Sequence, residues 1–285
     1  MNLLKLGFTD TVSGIADFFV SVLSKKYDII RNDLSPDYLI FGDRNFGNHN
    51  LDFNNKNNVK IFYTGENQRP WDYQCHYAIS FDHIDDEQHY RLPLYVIYDR
   101  EHDLYKDKVR EVSDLIDEKK FCSFVVRNGA CKKRNDWYHK LHEYKKVTAG
   151  GSLFNNIGGS IGNTVKEKVQ FLNKYKFNLC FENSSYPGYA TEKLFEALCS
   201  KTIPIYWGSP TVEIDFNPKA FINWHDYKND RDFFDAIVEL DNNPKKYKEM
   251  YMEPMFLDNR PNKFMNDDLF LNWFDNNVYK GVING

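Results

Sequence analysis

Residues 177–208 read FNLCFENSSYPGYATEKLFEALCSKTIPIYWG. Phe177–Phe181 is a short apolar run of strand length. A polar loop follows, turned by Pro187 and Gly188. Thr191–Ser200 then shows apolar residues at helical spacing, and Ile203–Trp207 is a second strand. Strand, loop, helix and strand in that order form a unit of an open, parallel α/β sheet. Such sheets bind ligands beyond the carboxyl ends of their strands, where the loop 182–190 lies. The helix starting near Thr191 would aim free N–H groups and a positive dipole end at that place. Lys193 in its first turn is disfavoured by the dipole alone. An anion held there, such as a diphosphate, would offset both positive charges.

The pattern extends in both directions. Leu3–Phe8 reads as a strand. A helix capped by Asp10 or Thr11 and running to about Lys25 would place Ile15, Phe18, Phe19, Val22 and Leu23 on one face. Apolar runs recur at Tyr27–Ile30, Tyr38–Phe41, Val59–Tyr63 and Tyr77–Phe81. The charged stretch 99–120 reads as a helix plus a connection between domains. A second series opens with a strand at Phe121–Val126. It continues with a helix over 136–146, a Gly- and Asn-rich loop over 150–163 and a helix over 165–175. Charged helices over 230–249 and an aromatic helix over 267–278 complete it. The 285 residues suit two domains at about 150 residues each. Their expected bounds are 1–115 and 116–262, with a C-terminal helix over 263–285.

Composition narrows the function. Hydrophobic residues make up 42% and charged residues 27%, a globular balance, and the net charge of −4 gives no basic stripe for a nucleic acid. Aromatic residues reach 16%, which suits either a sugar-handling surface or a coding bias. The five cysteines are scattered, with no Cys-x-x-Cys pair, which points away from a zinc site and towards a reducing compartment. Cys122 and Cys180 read as core residues. The eight histidines show no ligand spacing, so no metal site is expected. The loop 150–163 contains neither G-x-G-x-x-G nor a P-loop pattern, which removes the usual signature of dehydrogenases and P-loop NTPases. No signal peptide is visible, and the apolar stretch Ile15–Leu23, interrupted by Asp17, is too short to span a bilayer.

The string 177–208 resembles the defining motif of the α-1,3-fucosyltransferases, glycosyltransferase family ten. It combines Phe181-Glu182-Asn183-Ser184, then Tyr189 with Thr191-Glu192-Lys193-Leu194, then Ile203-Pro204-Ile205-Tyr206-Trp207-Gly208. The likeness continues through Phe62-Tyr63-Thr64-Gly65-Glu66-Asn67, Arg134-Asn135, the loop Val147–Gly151 and Asp215–Lys219, and is similar to the bacterial, Helicobacter-type members. It implies an α/β protein of GT-B type, with two Rossmann-like domains facing a cleft. The N-terminal domain would receive the acceptor and the second would hold GDP-fucose. The implied reaction is inverting transfer of L-fucose from GDP-β-L-fucose. The implied acceptor site is O3 of GlcNAc or glucose in an N-acetyllactosamine- or lactose-type glycan.

The resemblance assigns roles residue by residue. Glu66 aligns with the proposed general base, where a lone glutamate would read as a solvated turn residue. Lys193 and Arg134 match the phosphate-contacting lysine and arginine. Lys132 and Lys133 read as a solvated basic face. Glu192 matches a donor-binding glutamate, with helix-end charge complementarity as its plain alternative. Asn183 and Tyr189 match donor-contacting positions, against turn and packing roles. Glu182 is either a sugar contact or a structural acceptor. Tyr206 and Trp207 read as core rather than stacking residues. No cofactor is required on this reading, with stimulation by Mn²⁺ or Mg²⁺ left open. The expected partners are GDP-fucose and a glycan, with no nucleic acid and no stable membrane insertion. The expected location is the cytoplasm, extending to the inner membrane face. Two rival functions stand beside it, a GT-B enzyme for another nucleotide sugar and a non-catalytic sugar- or nucleotide-binding module.

Overall fold

The computed structural model describes residues 1–11, 13–43, 57–105, 110–115 and 119–279. The chain divides into two compact units, Met1–Glu101 with Asn262–Gly285, and His102–Pro261. The first division falls inside the charged stretch 99–120, and residue 116 of the expected boundary lies outside the described residues. The terminal aromatic segment belongs to the first unit.

The first unit holds a six-stranded sheet in the order β2-β1-β3-β4-β5-β6. Its strands are β1 (Asn2–Thr9), β2 (Tyr27–Arg31), β3 (Tyr38–Phe41), β4 (Val59–Tyr63), β5 (Tyr77–Ser80) and β6 (His89–Arg91). All neighbours pair in parallel. A parallel sheet is covered on both faces, which is why β3 is buried along its whole length. Helix α1 (Ser13–Leu23) carries Ile15, Phe18, Phe19, Val22 and Leu23, and all five are buried as its periodicity predicts. Strand β6 and helix α2 (Leu94–His102) were not predicted; β6 is too short to show alternation, and α2 begins before the charged stretch. Helix α8 (Asp267–Trp273) and the π-helical turn Phe274–Tyr279 set Phe270 and Phe274 against Phe19, Tyr27 and Tyr38. Many of the aromatic residues therefore serve this packing.

The second unit holds a five-stranded parallel sheet in the order β11-β10-β9-β7-β8. Its strands are β7 (Lys120–Phe124), β8 (Val147–Ala149), β9 (Tyr175–Leu179), β10 (Ile203–Tyr206) and β11 (Ile222–Asn223). Its helices are α3 (Lys132–Tyr144), α4 (Val165–Leu172), α5 (Glu192–Cys199), α6 (Asp230–Asn242) and α7 (Pro244–Tyr251). Val147–Ala149 is a strand where the sequence suggested a loop, and α3 starts four residues earlier than its periodicity predicts. The core joins the inner faces of the sheet to Trp137, Phe233 and Tyr251. In both units the chain leaves the first strand for one neighbour and then returns to pair on its other side. Each sheet therefore has a topological switch point, between β1 and β3 and between β7 and β9. No helix among the described residues is long and apolar enough to cross a membrane.

Candidate functional site

A cluster of charged residues in the second unit, Arg134, Glu182, Glu192 and Lys193, lies around the β7/β9 switch point. The ladder between β9 and β10 runs on past the strand ends, since Cys180 N–H donates to the Ile205 carbonyl at 3.0 Å and Glu182 N–H to the Trp207 carbonyl at 2.8 Å. Glu182 is thereby fixed at the carboxyl end of the sheet and is fully buried. Its side chain passes beside Gly208, where a Cβ would come within 2.4 Å of Glu182 Cγ. The Glu182 carboxylate accepts the Thr191 N–H at 2.8 Å, the Thr191 hydroxyl at 2.7 Å and Lys193 Nζ at 3.1 Å. It is a structural acceptor that anchors the start of α5.

Thr191 is the N-cap of α5, and its hydroxyl oxygen accepts from Lys193 N–H and from Lys193 Nζ at 2.9 Å. Lys193 Nζ also lies 3.2 Å from Glu192 Oε1. One lysine thus serves two carboxylates. Burial opposes ionisation of Glu192, but Lys193 and Lys168 outweigh it and hold its carboxyl down at about 2. Burial pushes the Glu182 carboxyl up against the attraction of Lys193. Burial works against the Lys193 ammonium too, yet Glu182 and Glu192 raise it well above its ordinary range, so it stays charged. Lys168 on α4 pairs with buried Glu196 on the same side of α5.

Arg134 bridges the switch point itself. It is fully buried in the first turn of α3. Its guanidinium donates to the Asn128 carbonyl at 2.6 Å, in the segment after β7. It also donates to the Phe181 carbonyl at 3.3 Å and to Asn183 Oδ1 at 2.8 Å, in the segment after β9. Among the described residues its buried Nε has no hydrogen-bond partner. Burial lowers its pKa, but a guanidinium remains charged at any working pH. Arg134 and Lys193 both occupy first turns of helices; Glu182 and Glu192 already offset the Lys193 charge, whereas the Arg134 hydrogen bonds described above go to carbonyl oxygens.

Five of the six candidate residues lie in this unit. Arg134 meets Asn183, Lys193 meets Glu192, and Tyr189 is buried in the loop between them, its carbonyl 3.4 Å from the Tyr206 hydroxyl. The loop is tied down by Gly188, whose N–H donates to Ser209 Oγ at 2.9 Å and Thr211 Oγ1 at 3.0 Å. Lys133 departs from expectation: its ammonium sits over the Trp224 ring, 3.2 Å from the centroid, and 5.3 Å from that of Trp207. Tyr206 is core, as its pattern predicts. The sequence reading started the helix at Thr191 without giving its hydroxyl a role, and it missed Lys168. Threonine ahead of a helical run is a recognisable cap, whereas nothing local marks Lys168.

Glu66, the sixth candidate, lies in the first unit just after β4 and is half-buried. Its N–H donates to Thr64 Oγ1 at 3.0 Å, and the Thr64 hydroxyl donates back to the Glu66 carbonyl at 3.2 Å. This turn fixes the glutamate backbone at the carboxyl end of the sheet. Among the described residues, no group of three or more His, Cys, Asp or Glu side chains could hold a metal ion.

Comparison with known proteins adds to this geometry. Residues 116–254 match the family described as glycosyltransferase family 10 (fucosyltransferase) C-term, and residues 5–98 match the alpha-(1,3)-fucosyltransferase FucT N-terminal domain. The chain is 37% identical to the alpha-(1,3)-fucosyltransferase FucT of Helicobacter pylori over 81% of its own length and 55% of that protein. It is 35% identical to alpha-(1,3)-fucosyltransferase B of Drosophila melanogaster over 37% of its length and 23% of that protein. The chain thus spans about half, or less, of these relatives. Its fold matches crystal structures of an α1,3-fucosyltransferase with GDP and with GDP-fucose. Each has a TM-score of 0.80 and 30% identity, with all of this chain covered and 91% and 92% of those chains respectively.

Proposed function

Because the chain belongs to glycosyltransferase family 10, we propose that it is an α-1,3-fucosyltransferase that moves L-fucose from GDP-β-L-fucose to a glycan hydroxyl with inversion. The observation that carries this reading is the pair of cations, buried Arg134 and half-buried Lys193, in the first turns of α3 and α5 at one switch point. As the sugar–phosphate bond breaks, negative charge grows on the departing diphosphate. Preorganised cations and helix N-termini stabilise that charge more in the transition state than in the ground state. Asn183, Tyr189 and Glu192 would complete donor binding, Glu192 through ribose hydroxyls.

A single displacement needs one general base, and Glu66 takes the acceptor proton. The acceptor is an N-acetyllactosamine- or lactose-type glycan, substituted at O3 of GlcNAc or glucose. Two cations and two helix ends suffice to hold a diphosphate, so no resident metal is required, and EDTA should leave turnover intact. Cytoplasmic residence fits five cysteines that are all free thiols.

Glu66→Gln tests the assignment. Turnover of GDP-fucose with N-acetyllactosamine should fall by about 10²- to 10⁴-fold while GDP affinity, measured by calorimetry, stays near wild type. Tighter binding of UDP than GDP would instead favour another nucleotide sugar. Binding of both substrates with no product, by mass spectrometry and NMR linkage analysis, would favour a non-catalytic module.

A further inference from the structure

The Gly- and Asn-rich loop over 150–163 carries none of the residues placed in donor binding, yet side chains fix it in position. Asn156 Oδ1 accepts the Ala149 N–H at 2.9 Å, and Asn156 Nδ2 donates to the Val147 carbonyl at 2.9 Å. One side-chain amide thus pairs with the outer edge of β8 as another strand would. Asn155 Nδ2 donates to the Gly151 and Gly159 carbonyls, each at 2.9 Å. At the far end Thr164 and Glu167 form a capping box on α4, and the Glu167 carboxylate also accepts the Asn163 N–H at 3.0 Å. The loop is therefore a built wall.

Behind it lies a cavity of about 660 Å³, within the size range of small-molecule sites. Glu167, Gln170 and Phe171 of α4, with Lys174 beyond its end, line one side at i, i+3, i+4 and i+7. Ile157 and Ile161 line it from the loop. Ile161 and Phe171 converge on Gly150, where a Cβ would stand 2.6 Å from the one and 2.8 Å from the other. Lys120 and Lys146 line it from the sheet.

The three lysines enter from the amino ends of β9, β7 and β8, which lie side by side in that order. Lys120 pairs with Tyr175, the neighbour of Lys174, and Lys146 leads into Val147, which pairs with Cys122. Adjacent strands are about 4.8 Å apart, so the three backbones fall within roughly two strand spacings. Among the described residues none of the three ammonium groups has a carboxylate partner. Lys145 and Lys176, by contrast, both pair with Asp241. Glu167 is the one carboxylate on the cavity, and it is committed to its capping box. An excess of positive charge therefore faces the space. It is not the charge of the donor cradle, because Arg134 and Lys193 act beyond the opposite ends of these strands. The length of β7 alone is about 16 Å at about 3.3 Å per residue.

We propose that this cavity is a second ligand site, built for a phosphorylated sugar. Three lysines less one carboxylate match the charge of a phosphate monoester, which approaches about −2 at pH 7. Lysine holds phosphate as a point charge and needs no forked geometry. The Gln170 amide can both donate to and accept from ring hydroxyls. The apolar side chains, Ile157, Ile161, Phe171 and the Tyr175 ring, suffice for one C–H face of a sugar and are too few for an acyl chain. The inference goes beyond the proposed function and stands whether or not fucose is transferred.

Glucose 6-phosphate is the probe, titrated by calorimetry into the full chain saturated with GDP. It should bind at one site and leave GDP in place. Lys146 and Lys174 are exposed, so reversing either charge should leave Tm near wild type. Lys146→Glu and Lys174→Glu should each weaken glucose 6-phosphate binding about tenfold or more. Lys248→Glu makes the same charge change at an exposed position of α7 outside the cavity and should have no effect. No binding up to about 10 mM, a limit of roughly 3 kcal/mol, would overturn the site. So would equal weakening by Lys248→Glu, displacement of GDP, or binding of inorganic phosphate or glucose as tight as that of glucose 6-phosphate. A chain that binds the probe through these lysines but transfers no fucose would sink the proposed function alone.

Discussion

Lys193 Nζ lies 3.1 Å from Glu182 Oε2, and the carboxylate is wholly enclosed while the ammonium keeps part of its surface open. Lys193→Ala would leave Glu182 buried and unneutralised. Removing one partner of such a pair destabilises by about 3 kcal/mol or more. Burial already raises the Glu182 carboxyl above its ordinary value, and loss of Lys193 would raise it further, so the deficit should grow as pH rises. Urea denaturation should show this loss at pH 7, and the double variant Lys193→Ala with Glu182→Gln should recover most of it. Calorimetry should find GDP binding impaired in both.

Arg134 uses the fork of its guanidinium to span Asn128, Phe181 and Asn183. A lysine keeps the charge but cannot reach three acceptors in two segments at once. Arg134→Lys should weaken GDP binding by about tenfold or more while leaving the net charge of the site unchanged.

His89 is buried on β6, with Nε2 2.9 Å from Ser80 Oγ. Burial lowers its pKa from 6.5 to about 4. The unfolded chain therefore binds a proton before the folded one does. The stability this neutral histidine confers is complete above pH 6.5 and is lost as pH falls towards 4, roughly 3 kcal/mol in all. Thermal unfolding across that range should show a slope that His89→Gln flattens.

Gly208 faces both the Glu182 side chain and the Tyr206 hydroxyl, each 2.4 Å from where a Cβ would stand. Gly208→Ala should destabilise by about 1–3 kcal/mol and displace the anchor of α5. Lower GDP affinity together with lower Tm would show the two effects to be linked.

Sequence patterns disclosed much of the fold, because parallel strands buried on both faces leave continuous apolar runs. Tyr38–Phe41 and Val59–Tyr63 are strands with the bounds their runs suggest. Val147–Ala149 escaped notice because three residues before a glycine-rich loop carry no period, and β11 has only two. The start of α5 was legible from Thr191, Glu192 and Lys193. The centrality of Glu182 was not, since its three donors come from a segment nine to eleven residues later and its path depends on Gly208. The grouping of Lys120, Lys146 and Lys174 likewise depends on the order of the strands in the sheet. In sequence each is only a charged residue at or just before the start of a strand.

The aromatic residues of Asp267–Tyr279 complete the core around α1 and β2, although 160 residues of the other unit, His102–Pro261, come between them in the chain. On a ribosome, which releases the polypeptide from its amino end, the interposed segment has everything it needs to fold while the earlier one still lacks Phe270 and Phe274. The order of synthesis and the order of completion are therefore opposed. Until those last aromatic side chains emerge, Phe19, Tyr27 and Tyr38 lack the rings that pack against them, and that interval is when a chaperone would have most to bind.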